Sequence, residues 1–380
     1  MNSSGKKVLH VVAWYPTKRN PLDGVWISRH IESLAPYCTN SVLHIQVNPT
    51  GKFKLYRNSG PRLKQIVLDI PVRNWRVAEV LTTVLLLCSL MLTSRGRKAD
   101  LLNVHIAYPL LIHYRLWKRL VTKPLIMTEH WSGYHFNFGI KDIRALNRIR
   151  KIHFQHIPVI AVSDALLLDI KNFSHNNSIE GFVVPNVVNA EVFKRNNAEE
   201  RHREAKRFFM VSYWKWPKDP FTLLEAFREV VRKKPHYTLR LGGNGPQMEE
   251  IQRRIIDYSL QDHVSLLGTL NSDAIAAELN DADAFLHSSA YETFSVVTAE
   301  ALSCGTPVII SANGGVRELV HPDNGILLSE NSVKSWIEAF RRFESMSFDR
   351  NRISIEAKKK FSETNVGEKY WNVLKRYLPQ

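Results

Sequence analysis

Short apolar runs recur along the chain, each followed by a polar-interrupted stretch with helical spacing. Residues 8–13, 41–47, 66–70, 101–105, 124–128 and 159–162 form one series. Residues 208–212, 238–241, 264–267, 284–286 and 307–310 form another. These runs are continuous rather than alternating, which is what strands covered on both faces require. Strands of that kind separated by helices predict an α/β protein with open, mostly parallel sheets. Between the two series, Pro185-Asn186-Val187-Val188-Asn189 is turn-like and residues 194–207 are polar, so a linker is expected there. The pattern divides the chain into two Rossmann-like domains, 1–190 and 191 onward, and residues 365–377 read as a terminal helix.

One apolar stretch, residues 77–92, breaks the rhythm. It holds Leu81, Val84, Leu85, Leu86, Leu87, Leu90, Met91 and Leu92, but also Glu79. A membrane span needs about 20 apolar residues, so this stretch is short for one. Arg73, Arg76, Arg95, Arg97 and Lys98 flank it. Two readings remain: a buried core helix, or an interfacial helix whose basic flanks rest on anionic headgroups.

Charge sharpens that picture. Residues 1–190 carry 25 Lys and Arg against 10 Asp and Glu, and the remaining residues carry 27 against 26. A basic half joined to a neutral half points to an anionic surface or acceptor facing the first domain. No nucleic-acid motif accompanies the charge, so no nucleic-acid partner is expected. Cys38, Cys88 and Cys304 are far apart and make no CxxC pair, which fits a reducing compartment and gives no metal site. The N-terminal residues run straight into a strand without the apolar core of a secretory signal, so a cytoplasmic location, peripheral on the membrane's inner face, is the expectation.

The sharpest chemistry lies in residues 291–307, YETFSVVTAEALSCGTP. Glu292 and Glu300 are eight positions apart, and the segment reads as loop, helix, turn and strand. A helix beginning near Phe294, Ser295 and Val296 offers unpaired backbone N–H groups to a diphosphate. A carboxylate before that end can bind sugar hydroxyls, and one deeper in the helix can bind ribose. Two glutamates at this spacing are by themselves as readily a solvated helix face.

This element resembles the signature of glycosyltransferase family 4, whose members have the GT-B fold. Other matches come in the family's order: Lys218 where the family places its diphosphate-binding lysine, Gly243 within Gly242-Gly243-Asn244-Gly245-Pro246, Gly268 closing a strand, and Asn313-Gly314-Gly315 with Glu318. In the first half, Tyr15-Pro16 with Gly24 is similar to the family's first-strand loop. Thr128-Glu129-His130-Trp131-Ser132 resembles the loop that carries its active-site histidine, and Ser163 resembles a cleft position. The sequence departs from the pattern where Tyr213 replaces a usual arginine, where Ser295 replaces a usual glycine, and at Val187 and Asn189.

The resemblance implies two Rossmann-like domains facing across a cleft, 1–190 on the acceptor side and 191–358 on the donor side. Residues 359–380 would cross back as a helix onto the first domain. It implies a retaining enzyme that moves a sugar from a nucleotide-diphosphate donor to a glycan or lipid-linked acceptor in cell-surface polysaccharide synthesis. His130, Glu292 and Lys218 are the expected catalytic residues. Gly24, Lys218, Gly243, Glu292, Phe294, Ser295, Val296 and Glu300 are expected to bind the donor, with His130 and Glu292 on the sugar and Glu300 on the ribose. No cofactor and no metal are expected, and Asp281-Ala282-Asp283 reads as structural. The rival readings are a nucleotide-sugar epimerase and a non-catalytic subunit binding a partner or membrane, for which Tyr213 is the best support.

Overall fold

The computed structural model describes residues 5–17, 20–21, 23–47, 51–59, 63–196, 205–311 and 313–379. The chain forms two compact units, residues 1–187 with 363–380, and residues 188–362. Both chain passages change unit at neighbouring residues. Val188 pairs with Ser362 in the second unit, whereas Val187 belongs to the core of the first. The boundaries therefore fall three or four residues from the expected 190 and 358. Residues 197–204 of the expected linker lie outside the described residues.

The first unit runs β1 (Lys7–Val12), α1 (Val25–Ser33), β2 (Thr39–Val47), β3 (Lys54–Ser59), β4 (Leu63–Ile70), α2 (Trp75–Leu92), α3 (Ser94–Lys98), β5 (Leu101–His105), α4 (Ala107–Leu110), α5 (Tyr114–Trp117), β6 (Leu125–Glu129), α6 (Ile143–Arg150), β7 (Val159–Ala161), α7 (Asp164–Ser174) and β8 (Gly181–Val183). Its eight strands lie in the order β3-β4-β2-β1-β5-β6-β7-β8, parallel except for β3 against β4. The apolar runs of β1, β5 and β6 are buried almost throughout, as parallel strands require. The polar edge strand β3 and the three-residue β8 carry no such run, which is why the sequence pattern passes over them.

The second unit runs β9 (Arg207–Tyr213), α8 (Pro220–Val231), β10 (Thr238–Asn244), α9 (Met248–Asp257), β11 (Val264–Gly268), α10 (Ser272–Asp281), β12 (Ala284–His287), α11 (Val296–Ser303), β13 (Val308–Ile310), β14 (Gly325–Leu327), α12 (Val333–Glu344) and α13 (Arg350–Phe361). Its parallel sheet has the order β11-β10-β9-β12-β13-β14. Phe208, Phe227, Trp336 and Phe340 fill the space between sheet and helices, with the Phe208 and Phe340 rings 4.9 Å apart. Asp281 and Asp283 bind Arg207 at the amino end of β9, a structural use of the acidic pair.

The last helix, α14 (Glu363–Leu374), packs Val366, Tyr370, Val373 and Leu374 into the core of the first unit. It approaches α1 so closely that a Cβ on Gly367 would lie 2.2 Å from the Ser33 carbonyl oxygen. Tyr370 reaches a buried polar seam in the sheet, accepting from Asn103 Nδ2 at 2.6 Å and meeting Thr128 Oγ1 at 2.8 Å.

The rest of the seam is histidine. His10 Nε2 bonds Asn40 Oδ1 at 3.1 Å, His10 Nδ1 meets His105 Nε2 at 3.1 Å, and His105 Nδ1 meets His130 Nε2 at 3.3 Å. Asn40 Nδ2 donates to the Ile31 carbonyl, which orients its amide oxygen toward His10. With neutral rings the protons then order themselves, His130 donating to His105, His105 to His10, and His10 to Asn40. Burial holds the rings neutral. It lowers His10 and His30 from 6.5 to about 4, and His105 and His130 fall well below 6.5, with neighbouring imidazoles adding to the shift.

Two outcomes follow. Tyr370→Phe removes the hydroxyl shared by Asn103 and Thr128, and denaturant unfolding should show a loss of about 1–3 kcal/mol; an unchanged midpoint would contradict the seam. The unfolded histidines protonate near 6.5 while the folded ones resist to about 4 or below, so stability should fall as pH drops through that window, by about 1 kcal/mol per pH unit for each. Glu129, pushed up to about 7 by burial, opposes this as a single group. A thermal midpoint as high at pH 5 as at pH 7.5 would refute the balance.

Candidate active site

In the second unit the strand order reverses direction between β9 and β12, and ligands of open parallel sheets bind outside the carboxyl ends at such a point. The loops leaving these two strands carry the expected residues. Lys218 follows β9 and Glu292 follows β12, and their side chains form an ion pair. The Lys218 loop is fixed from both sides. Asp219 caps α8, accepting from Thr222 N at 3.2 Å, and Asn331 Nδ2 donates to the same carboxylate at 2.6 Å. Ser288 Oγ, just beyond β12, donates to the Asp219 carbonyl at 2.5 Å.

Glu292 is held by its backbone as well. Its N–H donates to Asn313 O at 2.9 Å, and its carbonyl accepts from Gly315 N at 2.8 Å. Gly314 between them has φ 85°, and a Cβ there would lie 2.4 Å from Glu292 O. That geometry accounts for the Asn313-Gly314-Gly315 element. Burial raises the Glu292 carboxyl, but the Lys218 ammonium and His287 outweigh it and hold it well below the usual carboxylate range. His287 Nε2 lies 3.1 Å from the same oxygen, Oε1, that Lys218 binds.

Glu292 stands before α11 rather than on it; the helix begins at Val296. Ser295 is its N-cap residue, in the left-handed region at φ 68°, the conformation a usual glycine would take freely. Its hydroxyl meets Thr298 Oγ1 at 2.8 Å. Phe294 is buried and packs on Phe361, so its side chain is committed to the core and only its backbone remains for a ligand. Glu300 lies in the second turn of α11 and is buried. Gly243, at φ 107°, lets β10 press on β9, where a Cβ would overlap Ser212 O. Tyr213 is exposed, and the Lys215 ammonium lies 5.5 Å from its ring centre, so a cation does stand on the loop that lacks the arginine.

In the first unit Gly24, at φ 65°, opens α1 against the loop after β1, where a Cβ would lie 2.7 Å from the Trp14 carbonyl. His130 follows β6, and its neighbour Trp131 meets Trp14 with ring centres 5.2 Å apart. Ser163 caps α7, accepting from Leu166 N at 3.1 Å. His130 is largely buried, and its Nε2 lies 3.3 Å from His105 Nδ1 in the seam of β1, β5 and β6.

The sequence reading missed His10, His105, Asp219 and His287. The signal was present for the histidines, since His10 interrupts an apolar strand and His105 and His287 each end one.

Residues 192–360 match the family described as glycosyl transferases group 1. A phosphatidylinositol N-acetylglucosaminyltransferase component from Arabidopsis thaliana is 24% identical over 290 residues, covering 75% of this chain and 63% of that protein. An N-acetyl-alpha-D-glucosaminyl L-malate synthase of Bacillus anthracis is 27% identical over 236 residues, covering 60% and 61%. The chain thus spans less than two thirds of the length of these relatives. Among solved structures, Anabaena HepE in complex with UDP and glucose superposes with a TM-score of 0.72 at 16% identity, covering 98% of this chain and 99% of that one. Two doubly wound units, a match of residues 192–360 to the group 1 glycosyl transferases, and a fold shared along nearly the whole chain make this protein similar to the glycosyltransferases of the GT-B fold.

Proposed function

We propose that the chain is a retaining, metal-independent glycosyltransferase that moves a hexosyl group from a nucleoside-diphosphate sugar to a lipid-linked or glycan acceptor in cell-surface polysaccharide synthesis. The observation that carries this reading is the meeting of Lys218 and Glu292 at the carboxyl ends of β9 and β12, just ahead of α11. A departing diphosphate gathers negative charge, and stabilising that charge lowers the barrier. Lys218 and the backbone N–H groups that open α11 supply positive charge there without a metal. Glu292 accepts hydroxyls of the sugar, and Glu300 those of the ribose. His130, in the loop after β6, contacts the donor sugar. The reaction then follows a same-face route through an oxocarbenium-like ion pair.

The relatives named above carry an N-acetylglucosaminyl group in their names, and HepE is seen in complex with UDP. UDP is therefore the first diphosphate to test, beside GDP, ADP and CDP. Calorimetry without added metal should show one of them binding, and Glu300→Ala should weaken it by about 10-fold or more, the worth of one lost charged hydrogen bond. Wild-type protein that binds none would end this reading in favour of a non-catalytic role.

A lipid-linked acceptor is favoured by the exposed face of α2. Val77, Val80, Val84, Met91 and Leu92 are each about half or more exposed, while Ala78, Leu86 and Leu90 on the other face are buried. No helix among the described residues is long and apolar enough to cross a membrane. With Arg73, Arg76, Arg97 and Lys98 exposed at its two ends, α2 suits an interfacial position on an anionic bilayer. One face of residues 77–92 is thus core, and the other is exposed. Co-sedimentation with phosphatidylcholine vesicles should increase when phosphatidylglycerol is added, and should be lost when Arg73, Arg76, Arg95 and Arg97 are changed to Gln. Equal binding by both proteins would sink the membrane assignment.

A further inference from the structure

His287 ends β12 beneath the Lys218–Glu292 pair, and it is almost completely buried. Its ring stacks on Phe285 at 6.1 Å and 21°, a packing that an apolar side chain would make equally well. Its Nδ1 is buried with no hydrogen-bond partner, so the imidazole has one polar contact among the described residues, Nε2 to Glu292 Oε1 at 3.1 Å. A carboxylate can only accept, so the neutral ring must carry its proton on Nε2. Burial lowers the ring's proton affinity first, the Glu292 bond raises it, and the nearby Lys218 lowers it again. A second proton would sit on the unpartnered Nδ1.

Lys218 and His287 both donate to Oε1. They are unlike donors. The ammonium is a mobile point charge on a four-carbon stem, whereas the imidazole is fixed by a buried strand. Two donors on one oxygen leave Oε2 as the oxygen that accepts from a ligand.

We propose that His287 is a positioning residue: it anchors Glu292 Oε1 so that Oε2 is aimed at the hydroxyls of the donor sugar, independently of where the Lys218 ammonium moves. The proposal rests on the glycosyltransferase reading for its ligand but not for its geometry. Without His287 the carboxylate follows the lysine. Recognition of the sugar is then lost while the hold on the bare diphosphate persists, because the lysine and the start of α11 are untouched.

The test has two arms. In the first, His287→Leu and His287→Gln are compared with wild type, using the nucleoside diphosphate that binds in calorimetry and its hexose conjugates. The leucine variant should lose about 10-fold or more in kcat/KM for the sugar donor while keeping bare diphosphate affinity within about 2-fold. The glutamine variant, which restores an N–H near the Nε2 position, should recover most of the loss. Equal losses in diphosphate and sugar donor, no loss at all, or no recovery by glutamine would overturn the proposal. In the second arm, which needs no ligand, ring 15N spectra of the wild-type protein should show the neutral His287 ring as the Nε2–H tautomer. Its Nε2 proton resonance should move in Glu292→Gln. A ring that carries its proton on Nδ1, or a resonance indifferent to Glu292→Gln, refutes the positioning contact even if the leucine variant fails to fold. A protein that binds no diphosphate but passes the second arm overturns the function and leaves the contact standing.

Discussion

A carboxylate removed from water has to be compensated where it stands, and the second unit is arranged around that requirement at Glu292. Its charge is sustained by one ammonium and one imidazole on the same oxygen. Each of these depends on something further away. Lys218 is placed by a loop anchored through Asp219, Ser288 and Asn331, and His287 by the last position of a central strand. The backbone of Glu292 is threaded between Asn313 and Gly315, which only a glycine at 314 permits. Breaking a buried pair by removing one partner strands the other charge, so these supports act together rather than as separate contributions.

The first unit meets its buried polar groups differently. It places neutral imidazoles in a row, and an amide at one end orders the protons of all of them. The seam carries no net charge and avoids the penalty that a buried ion would incur. Tyr370 joins it from the last helix, so residues far apart in sequence close one network. This network also reaches His130, whose Nε2 lies 3.3 Å from His105 Nδ1.

The chain's charge is distributed to match this division. Nearly all of the excess Lys and Arg falls in residues 1–190. There the α2 face adds exposed aliphatic side chains between basic ends. The near-neutral second half holds its cations in specific partnerships, with Arg207 and Arg240 on Glu278 and Lys218 on Glu292.

Much of this was legible in the sequence, because short continuous apolar runs separated by helical patterns suit strands covered on both faces. Those runs determined the α/β class, eleven of the strands and the two-unit division, and the family resemblance at Lys218, Gly243, Glu292 and Glu300 pointed to the candidate site. Strands without such a run, β3, β8 and β14, left no signal. The sequence could not decide which way a side chain faces at a strand's end. His130, His105 and His287 look alike as histidines beside apolar residues. Only the tertiary structure decided that the first two belong to an uncharged seam and the third to a carboxylate, since the partner that orients each ring comes from another strand or loop.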